Sequence, residues 1–158
     1  MTHRWHKYYA QFVIVLGFTL RGYKQDRVIE LLAQSALETG NWGDGTWWDN
    51  KNLFGMSEMQ NPQRRTRLIG MHLGPDGLWR AHFKNLWKSV ADRADWDKQM
   101  GIVHNEIYAQ QVSSIFHTSE DYATAWLARI DGSLRRSYFV SLAIVPLTLL
   151  ILIKCLRY

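Results

Sequence analysis

The 158-residue chain carries 19 lysines and arginines against 14 aspartates and glutamates, a net charge of +5, and a single cysteine. That length suits one domain with at most one appended element, and the lone Cys155 excludes an intramolecular disulfide and a cysteine-rich metal site. The six histidines form no HExxH pattern, and no helix-turn-helix, zinc-finger or RNP signature accompanies the charge, so no metal, organic cofactor or nucleic acid is expected.

The chain opens MTHRWHKYYAQFVIVLGFTLRGY, with basic residues ahead of an apolar run from Phe12 to Leu20. The run is too short to span a bilayer, and Arg21, Gly22 and Tyr23 after it make no small-residue cleavage pattern. It reads as a buried first helix packed on the next one, with His3 and His6 in a solvated arm.

In KQDRVIELLAQSALETGNWGDGTWWDNKNLFGMS, Lys24 to Ser57, Val28, Leu31, Leu32 and Ser35 recur at the spacing of an amphipathic helix. Glu38 falls seven residues after Leu31 on the same face, and Thr39 and Gly40 then stop the helix. The negative end of the helix dipole and the apolar neighbours both favour the protonated carboxyl there, which is the form a glycosidase needs in its general acid. Trp42, Trp47 and Trp48 follow in a loop with Gly43, Asp44, Gly45, Asp49 and Asn50. Indole faces that stack on sugar rings beside polar groups that bond hydroxyls suit a carbohydrate; caps on a small core are the alternative.

From Gln60 to Ala94, Arg64, Arg65, Arg67, Arg80, Lys84, Lys88 and Arg93 stand against Asp76 and Asp92, which predicts a basic face for an anionic polymer or lipid, or a merely solvated surface. Arg67 to Leu73 and Leu78 to Phe83 flank Gly74-Pro75-Asp76-Gly77 as a hairpin. Leu86 to Met100, Ile107 to Phe116 and Glu120 to Ile130 read as helices, the last with Ser119 as N-cap, and Trp79, Trp87 and Trp96 as core.

From Tyr138 to Ile153 the chain runs YFVSLAIVPLTLLILI without a charge. Sixteen helical residues reach about 24 Å, and snorkelling of Lys154 and Arg157 closes the gap to a bilayer's width. A membrane anchor is the expectation, kinked at Pro146.

The run LLAQSALETGNWG, Leu31 to Gly43, followed by NLFGM, Asn52 to Met56, resembles the glucosaminidase family of bacterial and phage peptidoglycan hydrolases, in the lysozyme-like superfamily. HFKNLWKSVADRADW and FHTSEDYATAWLARI continue the likeness more faintly, to Ile130. The resemblance implies an endo-acting enzyme that cleaves β-1,4 bonds of the peptidoglycan glycan strand, with Glu38 as catalytic acid; Trp47, Trp48, Asn52, Phe54 and Tyr122 are taken as the residues lining its cleft. Two positions depart from the family pattern. His72 stands near the place of a second carboxylate, and Phe116 near that of a tyrosine, which leaves Asp76 and Glu58, with Asp44 and Asp49, as candidates for a second acid. A lytic transglycosylase, or a muramidase, would use the same glutamate; water as nucleophile calls for the second carboxylate.

The expected architecture is mainly α: a lysozyme-like helical domain with a small β-hairpin lobe over residues 1–137, and a C-terminal transmembrane helix over 138–158. The expected partners are peptidoglycan glycan strands and, through the tail, a lipid bilayer, in a viral or bacterial inner membrane with the domain acting on the cell wall. A non-catalytic virion or membrane component on a degenerate lysozyme-like fold is the rival.

Overall fold

A computed structural model describes residues 3–43, 45–57, 67–74, 77–102, 108–115 and 120–155, with no side-chain detail at 3, 4, 120 and 147–155. Seven helices and one two-stranded antiparallel sheet make up the described chain. Asp44, Glu58, Arg64, Arg65, Pro75, Asp76 and the segment from Phe116 to Ser119 lie outside the described residues.

Helix α1, His3–Thr19, buries Ala10, Val13, Ile14, Val15 and Phe18 completely. A Cβ on its Gly17 would lie 2.7 Å from Val90 Cγ1, so the glycine is what lets α1 approach helix α4, Leu86–Gln99. His6 is helical rather than part of a solvated arm, because its ring stacks on Trp48 with centroids 3.6 Å apart. Helix α2, Gln25–Glu38, is the central element: it is buried from Arg27 to Ala36 except at Glu30, and α1, α6 and α7 pack against it. Its burial takes in polar residues, Arg27, Gln34 and Ser35, as well as the apolar face.

Residues 45–50, expected as loop, form a short helix, α3, Gly45–Asn50, with Trp47 and Asn50 turned inward. The hairpin pairs β1, Leu68–Leu73, with β2, Trp79–Phe83, so that Leu73 faces Trp79, His72 faces Arg80 and Met71 faces Ala81. Ala81 and Phe83 anchor it in the core. Trp79, expected as core, is 52% exposed, because it sits beyond that anchor at the strand's outer end; Trp96 is buried and Trp87 half-buried. In α4 the Asn85 side chain accepts from the Lys88 amide at 3.0 Å, an N-cap.

The basic excess of the middle segment is not one face. Arg93 is wholly buried and bonded to Asp97 at 3.0 Å, while Arg67 pairs with Asp95 and approaches Asp92 at 3.7 Å. Arg93 also donates to the Tyr108 hydroxyl at 2.6 Å, and Tyr108 and Tyr23 both donate to Asp97. Burial works against the charge on Arg93, yet Tyr108 and Asp97 hold its pKa above the ordinary value.

Helices α5, Tyr108–Ile115, and α6, Glu120–Leu127, close the core on α2. Helix α7, Gly132–Cys155, is capped by Asp131, whose Oδ1 accepts from the amides of Ser133 and Leu134 at 2.9 Å each. It starts six residues before the expected anchor and crosses residue 137 without a break. Leu134, Tyr138 and Ser141 are buried where α7 packs on α1 and α2, so the segment read as membrane-embedded from Tyr138 begins inside the protein core. The helical spacing of those three residues hides one apolar stripe, while Phe139, Val140 and Ile144 stay exposed on the other side. Among the described residues no helix is long and apolar enough to cross a membrane, and the expected transmembrane helix is unsupported there.

Candidate active site

Glu38 is the last residue of α2, and the chain leaves it along an unusual path. The Thr39 hydroxyl donates back to the Ser35 carbonyl at 2.6 Å and accepts the Trp42 amide at 3.0 Å. Gly40, Asn41 and Trp42 then all have φ between 55° and 58°, a left-handed turn that swings the backbone off the helix axis. The carboxyl of Glu38 is left at the mouth of a cleft rather than under the next turn of chain.

The opposite side of the carboxyl is set by Asn52. Its Nδ2 donates to the carbonyls of Met56 at 2.9 Å and Ala81 at 3.1 Å, and its Oδ1 accepts the Met56 amide at 3.0 Å. The Leu53 amide is tied to Ser89 Oγ at 3.1 Å. These bonds fold 52–56 into a tight loop stapled to β2 and α4, with Leu53, Phe54 and Met56 buried and Gly55, at φ 60°, pressed against Glu38.

The third side comes from α6. Trp126, wholly buried, donates its indole N–H to the Glu30 carbonyl on α2, and Tyr122 lies one turn earlier. This register puts the Tyr122 hydroxyl on Glu38, where it donates to Oε1, while Gln34 Nε2 reaches the same hydroxyl at 3.5 Å. Gln34 and Glu38 stand four residues apart on α2 and share its cleft face.

Gln34, Glu38, Phe54, Gly55, Ser57, Leu78, Arg80 and Tyr122 enclose about 240 Å³. By accessible area Glu38 counts as exposed, because one face opens on this space; by surrounding atoms it is hemmed in on the others. The second description governs its charge. Burial pushes the Glu38 carboxyl above the usual carboxylate range, against the opposing pull of the Tyr122 hydrogen bond and of Arg93 and Arg80. The Tyr122 hydroxyl is raised well above the ordinary phenol value, by burial first and by Glu38 second, so it stays protonated and remains a donor.

The structure thus brings Glu38, Phe54 and Tyr122 onto one cleft and places the other expected lining residues elsewhere. Trp47 is buried in the core. Trp48 carries His6 stacked on its ring and Lys51 Nζ 4.0 Å from its centroid, faces that a sugar would need. Asn52 is buried, with its side chain committed to the loop it closes. Asp49 is exposed on α3 and does not line the cleft; Asp76 and Glu58 lie outside the described residues. His72 is exposed on β1 opposite Arg80.

Gln34, Gly55, Ser57, Leu78 and Arg80 are cleft residues that sequence reasoning missed. The signal for Gln34 was its four-residue spacing from Glu38, and for Gly55 the glycine within NLFGM. Among the described residues no group of three or more His, Cys, Asp or Glu side chains could hold a metal ion. Comparison with known protein families, with curated proteins and with solved structures finds no match to this chain.

Proposed function

We propose that this chain is a glycosidase acting on the β-1,4-linked glycan strand of peptidoglycan, with Glu38 as its proton donor. The observation that carries the reading is the Glu38 carboxyl: raised by burial, held at Oε1 by Tyr122, and open to a cleft on its remaining side. An acid so placed gives its proton to the bridging oxygen as the C1–O bond breaks, and the departing sugar leaves as an alcohol. Water then adds to the anomeric carbon, gives one proton to the Glu38 carboxylate and leaves a reducing end, or the muramic 6-hydroxyl closes on that carbon and returns its proton to Glu38. Of the described cleft residues Glu38 alone bears a carboxylate, and the second course needs no other. The sequence likeness to glucosaminidases between Leu31 and Met56 supports the choice of polymer.

The same reading gives α7 a lipid partner. The exposed Phe139, Val140 and Ile144 continue into an uncharged run that ends at Ile153, and this apolar stretch meets a bilayer while the domain works on the wall.

Digestion of purified peptidoglycan by the full chain, beside Glu38→Gln, tests the proposal. Fragments made by the parent and lost by roughly 10²-fold or more in the variant are expected. Mass spectrometry of their ends names the bond: reducing N-acetylglucosamine, reducing muramic acid or anhydro-muramic acid. A folded chain that sediments with the wall and releases nothing would instead be a binding or structural component.

A further inference from the structure

Gln34 lies on the cleft side of α2, four residues before Glu38, and is only 1% exposed. A buried side-chain amide costs free energy unless its donor and its acceptor both find partners. Gln34 is half satisfied. Its Oε1 has no hydrogen-bond partner among the described residues, and its Nε2 makes a long bond, 3.5 Å, to the Tyr122 hydroxyl. An unbranched apolar side chain of the same length would fill this place without leaving an acceptor unpaired. Core packing therefore gives no reason for an amide here, and the bond to Tyr122 is what sets it apart.

A tyrosine hydroxyl carries one proton and can accept as well as donate. Tyr122 donates its proton to Glu38 Oε1, and the bond from Gln34 falls on the oxygen. The amide N–H thus occupies the accepting side of the hydroxyl and leaves the proton to Glu38. An amide turned the other way would set Oε1 against the hydroxyl, and the phenol proton would be shared between two acceptors. Bonds that run in one direction along such a chain polarise and strengthen one another. We propose that Gln34 is a positioning residue for the proton donor: its amide N–H holds the Tyr122 hydroxyl in the rotation that aims its proton at Glu38, and so fixes the carboxyl through Tyr122 without touching it. Its part in catalysis rests on the reading of the cleft as a glycan-cleaving site. Its effect on the Glu38 carboxyl does not, and can be read without substrate.

The groups that bear on the Glu38 charge are Tyr122 from α6, Arg93 from α4 and Arg80 from β2, while residues 52–56 offer no titratable side chain. Gln34→Met keeps the side chain's length, adds no charge and leaves both arginines in place. Carboxyl 13C NMR titration of Glu38 compares the full-length parent, Gln34→Met, Tyr122→Phe and the double variant. In Gln34→Met the Tyr122 proton is less firmly aimed, so Glu38 holds its own proton more tightly. Its midpoint rises by about 0.2–0.5 pH unit, a fraction of the rise in Tyr122→Phe. In the Tyr122→Phe background the same substitution moves the midpoint by less than about 0.1 unit, because the amide acts only through the hydroxyl. The melting temperature of Gln34→Met equals or exceeds that of the parent, since the unpaired Oε1 goes with the amide.

A midpoint that stays put in Gln34→Met overturns the proposal. So does a rise of equal size with and without the Tyr122 hydroxyl, which would mean that Gln34 acts on Glu38 by another path. If Gln34→Met does not fold, Gln34→Leu is titrated in its place, and failure of both would assign the amide to the core instead. Initial rates on purified peptidoglycan are measured alongside: kcat of Gln34→Met falls about threefold, and the descending limb of its pH–rate profile moves with the NMR midpoint. A parent chain that cleaves nothing refutes the glycosidase reading, and the titrations then decide the Gln34 question alone.

Discussion

Gly55 stands so close to Glu38 that a Cβ at residue 55 would lie 2.5 Å from the Glu38 Oε2 oxygen, and its φ of 60° is one that other residues adopt at a cost. The acid and the glycine are fitted to each other across 17 residues of chain. Gly55→Ala therefore has two effects: destabilisation of roughly 1–3 kcal/mol from backbone strain, and displacement of the carboxyl by a fraction of an ångström to an ångström, enough to cut kcat roughly 10²-fold. Urea unfolding and single-turnover cleavage measure them separately. A variant as active as the parent would mean that the carboxyl does not need its present position.

Tyr122→Phe removes the hydrogen bond that favours the ionised form of Glu38. The sign follows directly. Without that bond the carboxyl holds its proton more tightly, so with Glu38 as the proposed general acid the descending limb of the pH–rate profile, where its proton is lost, moves to higher pH. Oε1 also loses its anchor, and kcat falls by about tenfold or more. A limb that moved to lower pH would show that Tyr122 acts on Glu38 in some other way.

Asn52→Ala and Trp48→Ala separate scaffolding from sugar contact. The Asn52 side chain makes three buried hydrogen bonds, and its loss costs on the order of 2–4 kcal/mol. Trp48→Ala opens the contact between α1 and α3 at His6 and leaves KM for the glycan within about twofold. Thermal melts alongside initial rates check both. A large KM effect from Trp48→Ala in a well-folded variant would return that tryptophan to the substrate.

The end of the folded domain is a further point that can be measured. A chain cut after residue 137 loses the buried Tyr138 and Ser141, and with them about 2–3 kcal/mol of packing. A chain cut after residue 145 keeps both, so its melting temperature matches that of the parent, while the shorter chain melts several degrees lower. Equal melting of the two truncations would place the domain boundary at 137 after all.

What the sequence made legible were features with a local cause. The helix that ends at Glu38, the hairpin strands and the helix starting at Leu86 follow from periodicity, stop signals and turn residues, and all lie within a residue or two of their expected bounds. Glu38, Phe54 and Tyr122 stand on one cleft, while Trp47, Trp48 and Asn52, named beside them, do not. Other features depend on what folds onto what. Arg80 and Arg93 look alike in a run of basic residues, yet one walls the cleft and the other is sealed inside with Asp97. Trp48 sits in a loop-like, sugar-suited composition, but a histidine 42 residues earlier lies on its ring. The apolar tail gave no hint that its first turns belong to the core, because a helix hydrophobic on all sides reads the same whether protein or lipid covers it.

Helix α7 leaves the core as the continuation of a rod whose first third is clamped by α1 and α2. Up to Pro146 the helix runs without a break. Whatever holds the far end of the rod therefore sets the heading of the cleft, as a handle sets the heading of a blade. At Pro146, which cannot donate to the Leu142 carbonyl, the helix is weakest against bending. That proline comes five residues past Ser141, so a bend there leaves the buried Leu134, Tyr138 and Ser141 in place.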